Sequence, residues 1–158
     1  MRKWAWFSLA LLMILLDQLS KYWALVQLTM YQPVVVFPVL NWTLAYNSGA
    51  AFSFLHQAGE WHRWLFAGFS AVMSMVLFGA IWLTESTKRV QLLALSLILG
   101  GAVGNLIDRV SMGYVIDFIQ VHYKNYYWPV FNIADSVICI GALLLLIDMF
   151  IFRQSNQG

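Results

Sequence analysis

Four apolar stretches, each long enough to cross a lipid bilayer as a helix, occupy most of this chain of 158 residues. They cover residues 4–26, 64–83, 90–107 and 130–152. A bilayer core about 30 Å thick requires about 20 predominantly apolar residues of helix. Charged residues make up only 10% of the chain, whereas soluble domains carry about 25%. We therefore predict an all-α membrane protein with four transmembrane helices, forming a single domain over residues 1–158.

The distribution of basic residues predicts how the helices are oriented. Basic residues flank the predicted spans at the N-terminus, in the short second loop and at the C-terminus: Arg2, Lys3, Lys88, Arg89 and Arg153. The two long loops together hold only Arg63, Arg109 and Lys124. Because basic residues favour the cytoplasmic side, both termini are expected in the cytoplasm and the long loops outside it. The net charge of +2 is too small and too dispersed to indicate nucleic-acid binding.

The two long loops contain patterns typical of short strands. In residues 33–46, β-branched and aromatic residues are interrupted by prolines, and residues 113–121 have a similar composition. Asn47-Ser48-Gly49 is typical of a turn, and residues 50–55 are suited to begin a short interfacial helix. We therefore expect short strands and an interfacial helix in the extracytoplasmic loops.

Polar residues within the apolar stretches and at their ends are the strongest indication of function, because ionisable groups at membrane depth are costly. Asp17 and Lys21 are four residues apart in the first stretch, so they share one helix face. Other polar residues lie near the outer ends of the third and fourth stretches and in the loop between them: Asn105, Asp108, Arg109, Asp117, Asn132 and Asp135. By the predicted orientation, all of these residues lie toward the extracytoplasmic side.

Asp117 and Asp135 permit a specific chemistry if their carboxyl groups approach within hydrogen-bonding distance. Such a pair shares one proton, so the ionised member can take a proton from water while the protonated member polarises an amide carbonyl. This is the chemistry of an aspartic peptidase, which uses no metal ion and no other cofactor. Asn105, Arg109 and Asn132 are candidates to orient the carboxylates or to hold the peptide.

Spacing alone leaves other interpretations open. Asp117 is compatible with a loop carboxylate paired to a basic residue, and Asp135 with a carboxylate favoured by a helix dipole. An intrahelical ion pair explains Asp17 and Lys21 as well as substrate contact does. Asp108 is interpreted as a surface charge or as support for the site. The main alternative functions are a small proton-coupled transporter, with its relay built from the intramembrane charges, and a non-catalytic scaffold.

Five segments resemble the motifs of bacterial lipoprotein signal peptidase, also called signal peptidase II, a family of aspartic peptidases. They are Asp17-Gln-Leu-Ser-Lys21, Asn47-Ser-Gly-Ala-Ala-Phe52, Gly100-Gly-Ala-Val-Gly-Asn-Leu-Ile-Asp-Arg109, Val115-Ile-Asp-Phe118 and Phe131-Asn-Ile-Ala-Asp-Ser136. The segments run in family order from residue 17 to residue 136, so the resemblance covers nearly the whole chain. The combination of the last three is specific to the family.

The resemblance implies a membrane aspartic endopeptidase of the bacterial cytoplasmic (inner) membrane. Such an enzyme removes the signal peptide from diacylglyceryl-modified prolipoproteins by cutting before the lipidated cysteine. Asp117 and Asp135 are then the catalytic pair, and the first outer loop forms a small β-cradle and an interfacial helix. Other residues match positions that line or support the family's active site: Asn47, Asn105, Arg109, Asn132, Asp17 and Lys21. The expected partners are prolipoproteins, membrane lipids and globomycin-type inhibitors, and a chain of this kind can work as a monomer.

Overall fold

In the computed structural model, which describes residues 3–49 and 61–154, four long helices form the membrane-spanning part of the chain. They are α1 (Lys3–Gln27), α2 (Trp61–Leu83), α3 (Arg89–Ser111) and α4 (Ile133–Gln154). Each is long enough and apolar enough to cross a bilayer. The prediction of four transmembrane helices is therefore confirmed.

The helix boundaries depart from the predicted spans at the polar ends of α3 and α4. The apolar pattern predicts a third span ending at residue 107, but α3 continues to Ser111. Two residues beyond this end, Gly113 has a φ of +86° and donates its N–H to the backbone oxygen of Arg109 at 3.1 Å, which terminates the helix. The fourth span is predicted from residue 130, but α4 begins only at Ile133. Hydrophobicity locates the membrane segments well. Where α3 and α4 begin and end is determined instead by hydrogen bonds of residues beyond the apolar stretches.

α3 lies at the centre of the bundle and packs against each of the other three helices. Two glycines allow this close approach. A Cβ atom at Gly100 would lie 2.8 Å from the backbone oxygen of Ala10 in α1, and one at Gly101 would collide with the backbone oxygen of Ala134 in α4. A side chain at either position would push the neighbouring helix away, so these glycines set the distances between α3 and its neighbours.

The outward faces of the helices carry exposed apolar side chains, such as Leu15 and Leu19 on α1 and Val72 and Val76 on α2. Soluble proteins rarely expose large contiguous apolar surfaces. In a bilayer the same side chains contact lipid tails, so their exposure agrees with the spans that the sequence predicts.

The N-terminal end of α1 packs against the C-terminal end of α2. The rings of Phe7 and Phe78 are 4.6 Å apart, measured between their centroids. The ammonium group of Lys3 donates to the backbone oxygens of Trp82 and Thr84. Because the last carbonyl groups of a helix have no partners within it, this cation stabilises the end of α2.

The strands that follow α1 and α3 along the chain form one small antiparallel sheet. Its strands, in spatial order, are β1 (Val34–Phe37), β2 (Leu40–Asn47), β3 (Val115–Tyr123) and β4 (Tyr126–Tyr127). β2 and β3 form the central pair, in which Asn47 lies opposite Val115. The strands predicted within residues 33–46 and 113–121 are therefore present. The interfacial helix predicted at residues 50–55 lies outside the described residues.

Candidate active site

Asp117 lies near the start of β3, with only 2% of the residue exposed. Its Oδ1 accepts a hydrogen bond from Nδ2 of Asn132 at 2.7 Å, and its Oδ2 accepts one from Nδ2 of Asn47 at 3.0 Å. The strand register explains the second contact, because Asp117 lies opposite Ala45 and Asn47 is two residues farther along β2. A desolvated carboxylate is therefore held between two side-chain amides, one from β2 and one from the residue before α4.

The side chain of Asn47 is oriented by its own turn. Its Oδ1 accepts a hydrogen bond from the backbone N–H of Gly49 at 2.9 Å, which is the geometry of an Asx turn. Gly49 has a φ of +83°, a conformation that glycine adopts without steric cost. Since the oxygen of the amide is occupied by this turn, its NH₂ group points toward Asp117.

Asp135 occupies the first turn of α4 and is linked to Asn132 by reciprocal hydrogen bonds. Asn132 Oδ1 accepts from the backbone N–H of Asp135 at 2.8 Å, and Asp135 Oδ2 accepts from the backbone N–H of Asn132 at 3.3 Å. This arrangement is a capping box, with Asn132 as the N-cap residue. A further bond, from Nδ2 of Asn105 to Asp135 Oδ1 at 2.8 Å, joins the same carboxylate to α3.

Asn132 therefore hydrogen-bonds to both aspartates. The backbone of the preceding residue explains why it can do so, because Phe131 pairs with Ile119 of β3 through bonds of 3.0 and 2.8 Å. This pairing places the start of α4 directly against the strand that carries Asp117. The structure thus connects Asp117 and Asp135 through Asn132, although the rest of β3 and all of β4 separate them in the sequence.

The pKa of Asp117 is raised from 3.8 to about 7, mainly because burial disfavours the charged carboxylate. The negative charge of Asp135 raises this pKa further, whereas the hydrogen bonds from Asn47 and Asn132 lower it. A carboxyl group with such a pKa keeps its proton up to neutral pH beside a second carboxylate. Perturbed acids of this kind are concentrated at catalytic sites.

Behind the two aspartates lies a buried group of three charged side chains, Asp17, Lys21 and Asp108, which we call the ionic cluster. None of the three residues is more than 1% exposed. Nζ of Lys21 is 2.8 Å from Oδ2 of Asp17 and 2.8 Å from Oδ2 of Asp108. The intrahelical pair of Asp17 and Lys21 is therefore present. The interpretation of Asp108 as a surface charge is wrong, because an ion pair with α1 holds this side chain inside the bundle.

Close helix packing makes the ionic cluster possible. A Cβ atom at Gly104 of α3 would lie 2.6 Å from Oδ2 of Asp17. Lys21 also donates to Oδ1 of Asn105 at 2.9 Å, and the other side of that amide binds Asp135. The predicted polar residues of α1 and α3 are thus connected to the aspartate pair through Asn105.

Within the described residues, Arg109 hydrogen-bonds to neither aspartate. Its guanidinium group donates to Oγ of Ser70 and to the backbone oxygen of Asn105, both at 3.4 Å. Arg63, for which no role was predicted, donates to the backbone oxygens of Arg109 at 3.1 Å and Val110 at 2.6 Å. It therefore provides a cationic donor to carbonyl groups at the C-terminal end of α3, where the helix dipole favours positive charge.

The described part of the chain contains no group of three or more His, Cys, Asp or Glu side chains placed to hold a metal ion. Its chemically distinctive feature is instead a pair of aspartates joined through one asparagine, with one carboxyl group strongly desolvated. Such a pair can exchange protons with a bound water and a carbonyl oxygen.

Comparison with known proteins gives a consistent result. Residues 9–151 match the family model described as Signal peptidase (SPase) II. A lipoprotein signal peptidase of Acinetobacter baylyi is 49% identical over 153 residues, which cover 96% of this chain and 84% of that protein. A lipoprotein signal peptidase of Pseudomonas aeruginosa is 49% identical over 157 residues, which cover 97% of this chain and 92% of that protein.

Two solved structures, each described as a bacterial membrane enzyme determined by the in meso method, are similar to this chain. One has a TM-score of 0.81 and covers 92% of both chains, and the other has a TM-score of 0.84 and covers 98% of this chain and 92% of its own. Both are 30% identical in sequence. The arrangement of four spanning helices with a small sheet is therefore shared with experimentally determined membrane enzymes.

Proposed function

This chain belongs to the signal peptidase II family, and on that premise we propose that Asp117 and Asp135 form its catalytic pair. The chain is a membrane-embedded peptidase that removes signal peptides from prolipoproteins. The observation that carries the proposal is the position of Asn132, which hydrogen-bonds to both aspartates. An asparagine in this position keeps both carboxyl groups within hydrogen-bonding reach of one residue.

The two carboxyl groups have different roles in the proposed reaction. Asp117 carries the shared proton, since burial raises its pKa to about 7. Asp135 is the ionised member, because it lies in the first turn of α4, where the helix dipole favours negative charge. This division of roles follows from two different environments acting on the same side chain type.

The proton transfers then follow the order of an aspartic peptidase. Asp135 takes a proton from water as the water oxygen bonds to the carbonyl carbon, and Asp117 gives its proton to the carbonyl oxygen. The tetrahedral intermediate breaks its C–N bond, and the departing nitrogen receives the proton that Asp135 had taken. The oxygen-bound proton returns to Asp117 as the carbonyl forms again, so the pair recovers its original state.

Three amides orient the pair in this proposal. Asn47 and Asn132 donate to Asp117, and Asn105 donates to Asp135. Asp17 and Lys21 support the site from behind, because their burial and mutual ion pair keep them from the substrate. Arg109 is assigned to the rim of the site. Over the ranges that the structure describes, its bonds to Ser70 and to the backbone of α3 use only one guanidinium nitrogen, which leaves the others for a peptide carbonyl.

We further propose that the substrate is a diacylglyceryl-modified prolipoprotein and that the cut falls before the lipidated cysteine. A lipidated substrate is confined to the membrane, which favours a site at the end of a membrane helix bundle. Each buried CH₂ group of an acyl chain contributes about 0.8 kcal/mol to anchoring, so two chains hold the cysteine close to the membrane surface. Asp117 follows the C-terminal end of α3 and Asp135 lies in the first turn of α4, so both lie at one end of the spanning helices, as such a substrate requires.

The orientation in the membrane is also part of the proposal. We assign both termini to the cytoplasm and the aspartate site to the extracytoplasmic face, on the basis of the basic residues at the opposite end of the bundle, including Lys3, Lys88 and Arg89. Monomeric function and binding of globomycin-type inhibitors at the aspartate pair are proposed on the same family relationship. The alternative of a proton-coupled transporter is not supported by the family match or by the curated relatives.

Cleavage of a purified diacylglyceryl-modified prolipoprotein by the purified protein in detergent or lipid nanodiscs tests this function. Mass spectrometry should find a mature product that begins with the lipidated cysteine, together with the released signal peptide. The same prolipoprotein without the diacylglyceryl group is the control and should be cleaved far more slowly. Equal cleavage of both forms would contradict the proposed substrate. If neither form is cleaved, the proposed reaction is contradicted.

A further inference from the structure

We propose that the ionic cluster is a positioning device that fixes the two catalytic aspartates relative to each other. This inference rests on the proposed function, because it gives the cluster a role in that reaction. Asp17, Lys21 and Asp108 do not contact the substrate in this proposal. They act through the backbone of the residue that precedes each aspartate.

Asp108 and Asp17 have parallel contacts on the two sides of the site. Oδ2 of Asp108 accepts a hydrogen bond from the backbone N–H of Ile116 at 3.2 Å, and Ile116 directly precedes Asp117. Oδ1 of Asp17 accepts one from the backbone N–H of Ala134 at 2.8 Å, and Ala134 directly precedes Asp135. Since the peptide bond is planar and rigid, fixing each N–H restricts the backbone that carries the next side chain.

Lys21 joins these two anchors to each other. Its ammonium group has three donors, and the structure gives it three acceptors within 2.9 Å, namely Asp17, Asp108 and Asn105. An ammonium group with all donors occupied, 1% exposed, has no hydrogen left to offer to a substrate. Its geometry is that of a fixed connection between α1 and α3.

Two further contacts complete the connection to the aspartates. Nε2 of Gln18 donates to Oδ1 of Asp108 at 2.9 Å, which occupies the carboxylate oxygen that Lys21 leaves free. Asn105, held by Lys21 through its oxygen, donates through its nitrogen to Asp135 at 2.8 Å. Hydrogen bonds thus connect the side chain of Asp135, and the backbone just before each aspartate, to the same buried charges.

A matched pair of double variants tests the contact between Asp108 and Ile116. Lys21→Met/Asp108→Asn and Lys21→Met/Asp108→Leu have the same charge, and their side chains at residue 108 have the same number of non-hydrogen atoms and the same branching. Only the first retains an acceptor for the N–H of Ile116. We expect kcat of the Leu-bearing variant to be about 10- to 100-fold below that of the Asn-bearing variant, because small displacements of reacting groups are costly. KM should be equal in the two variants, since the cluster is buried away from the substrate.

The pH profile of kcat separates positioning from a purely structural role. If the aspartates move apart, the charge of Asp135 raises the pKa of Asp117 less. The alkaline limb of the Leu-bearing variant should therefore lie at lower pH than that of the Asn-bearing variant. A smaller fraction of folded enzyme would lower kcat without moving this limb.

Each outcome decides between the inference and its alternatives. Equal kcat and equal alkaline limbs in the two folded variants would overturn the inference, while inactivity of Asp117→Asn in the same assay would leave the proposed function standing. If the Leu-bearing variant does not fold, Asp17→Asn and Asp17→Ala provide the same comparison for the N–H of Ala134. If every variant that lacks an acceptor fails to fold, the cluster serves stability alone and the inference is wrong.

Discussion

Asn132 donates its side-chain amide to Asp117 at 2.7 Å while its side-chain oxygen caps α4. One side chain thus performs a structural task with one atom and a task in the proposed site with another. The start of a membrane helix and the position of a strand carboxylate are therefore coupled. This coupling allows the two tasks of Asn132 to be separated by substitution.

Asn132→Ala should lower both stability and activity, whereas Asn132→Ser should restore only the stability. Loss of an N-cap typically costs about 0.5–2 kcal/mol, and serine caps helices about as well as asparagine. Serine has no NH₂ group to reach Asp117, and leaving a buried acceptor unsatisfied costs about 1–3 kcal/mol, which corresponds to about a 10- to 100-fold loss of turnover. Thermal unfolding and kcat of both variants provide the comparison. Full activity of Asn132→Ser would show that the amide contact with Asp117 is dispensable.

Asp117→Asn and Asp135→Asn should each reduce turnover at least about 100-fold, because each removes a proton-transferring group. The matched control is Asp148→Asn, which changes a carboxylate that accepts a hydrogen bond from Gln91 at 2.7 Å between α3 and α4. The control should retain nearly full activity. Cleavage of the diacylglyceryl-modified substrate is measured for all three variants at equal amounts of folded protein. Substantial turnover by either of the first two would exclude that aspartate from the catalytic pair.

Activity should decline as the pH rises above about 7, where Asp117 loses the proton that the reaction requires. Asn47→Ala should move this decline to higher pH, because the hydrogen bond from Asn47 lowers the pKa of Asp117. Asn41→Ala is the control, since the Asn41 amide lies in the same strand and donates to Gln120 at 3.4 Å. The kcat of the three proteins is measured from pH 5 to pH 9. An unmoved decline in Asn47→Ala would contradict the assignment of the alkaline limb to Asp117.

Stability should also depend on the protonation of Asp117. The unfolded chain releases this proton near pH 3.8, whereas the folded chain keeps it until about pH 7. Between these values the folded state binds more protons, so its stability falls as the pH rises and then levels off above about pH 7. Asp117→Asn removes the titrating group and should show a smaller loss of thermal stability between pH 5 and pH 8. An identical loss in both proteins would show that other groups account for it.

Gly104→Ala should destabilise the protein, because the added Cβ atom would lie 2.6 Å from Oδ2 of Asp17. Overpacking of this kind costs about 1–3 kcal/mol, and here it also separates the charges of the ionic cluster. Gly79→Ala is the matched control, because a Cβ atom there meets nothing within 4 Å. Its stability should be unchanged or higher, as alanine favours helix formation by about 1 kcal/mol over glycine. Equal stability of the two variants in a thermal unfolding assay would contradict close packing at Gly104.

The membrane helices and the strands could be predicted from the sequence because both depend on local patterns. An apolar stretch of sufficient length has few alternatives to a spanning helix, and alternating β-branched residues between turn signals favour strands. The gathering of Asp17, Asn105 and Asp135 toward one end of the bundle also followed from their positions within the helices.

The contacts of Asp108, Asn132 and Arg63 could not be predicted in the same way. They depend on how each helix is rotated and on which helix lies beside it, and neither is a local property. One signal for Asp108 was available, since it lies four residues after Gly104 on the same face of α3. A glycine on that face indicates close contact with another helix, and a carboxylate in such a contact requires a cation.

The ionic cluster also has a consequence for how the protein is inserted into the membrane. Asp17 and Lys21 can neutralise each other as soon as α1 has formed, whereas Asp108 can pair with Lys21 only after α3 has packed against α1. An unpaired charge at the centre of a membrane helix costs about 2.5–3.5 kcal/mol, which is an upper bound for Asp108 in the last turn of α3. A chain with misplaced helices therefore keeps an unsatisfied carboxylate in or near the lipid. Packing of α3 against α1, which α2 separates from it in the sequence, pairs this carboxylate with Lys21. The ion pair therefore favours the correctly assembled bundle over misassembled ones during membrane insertion.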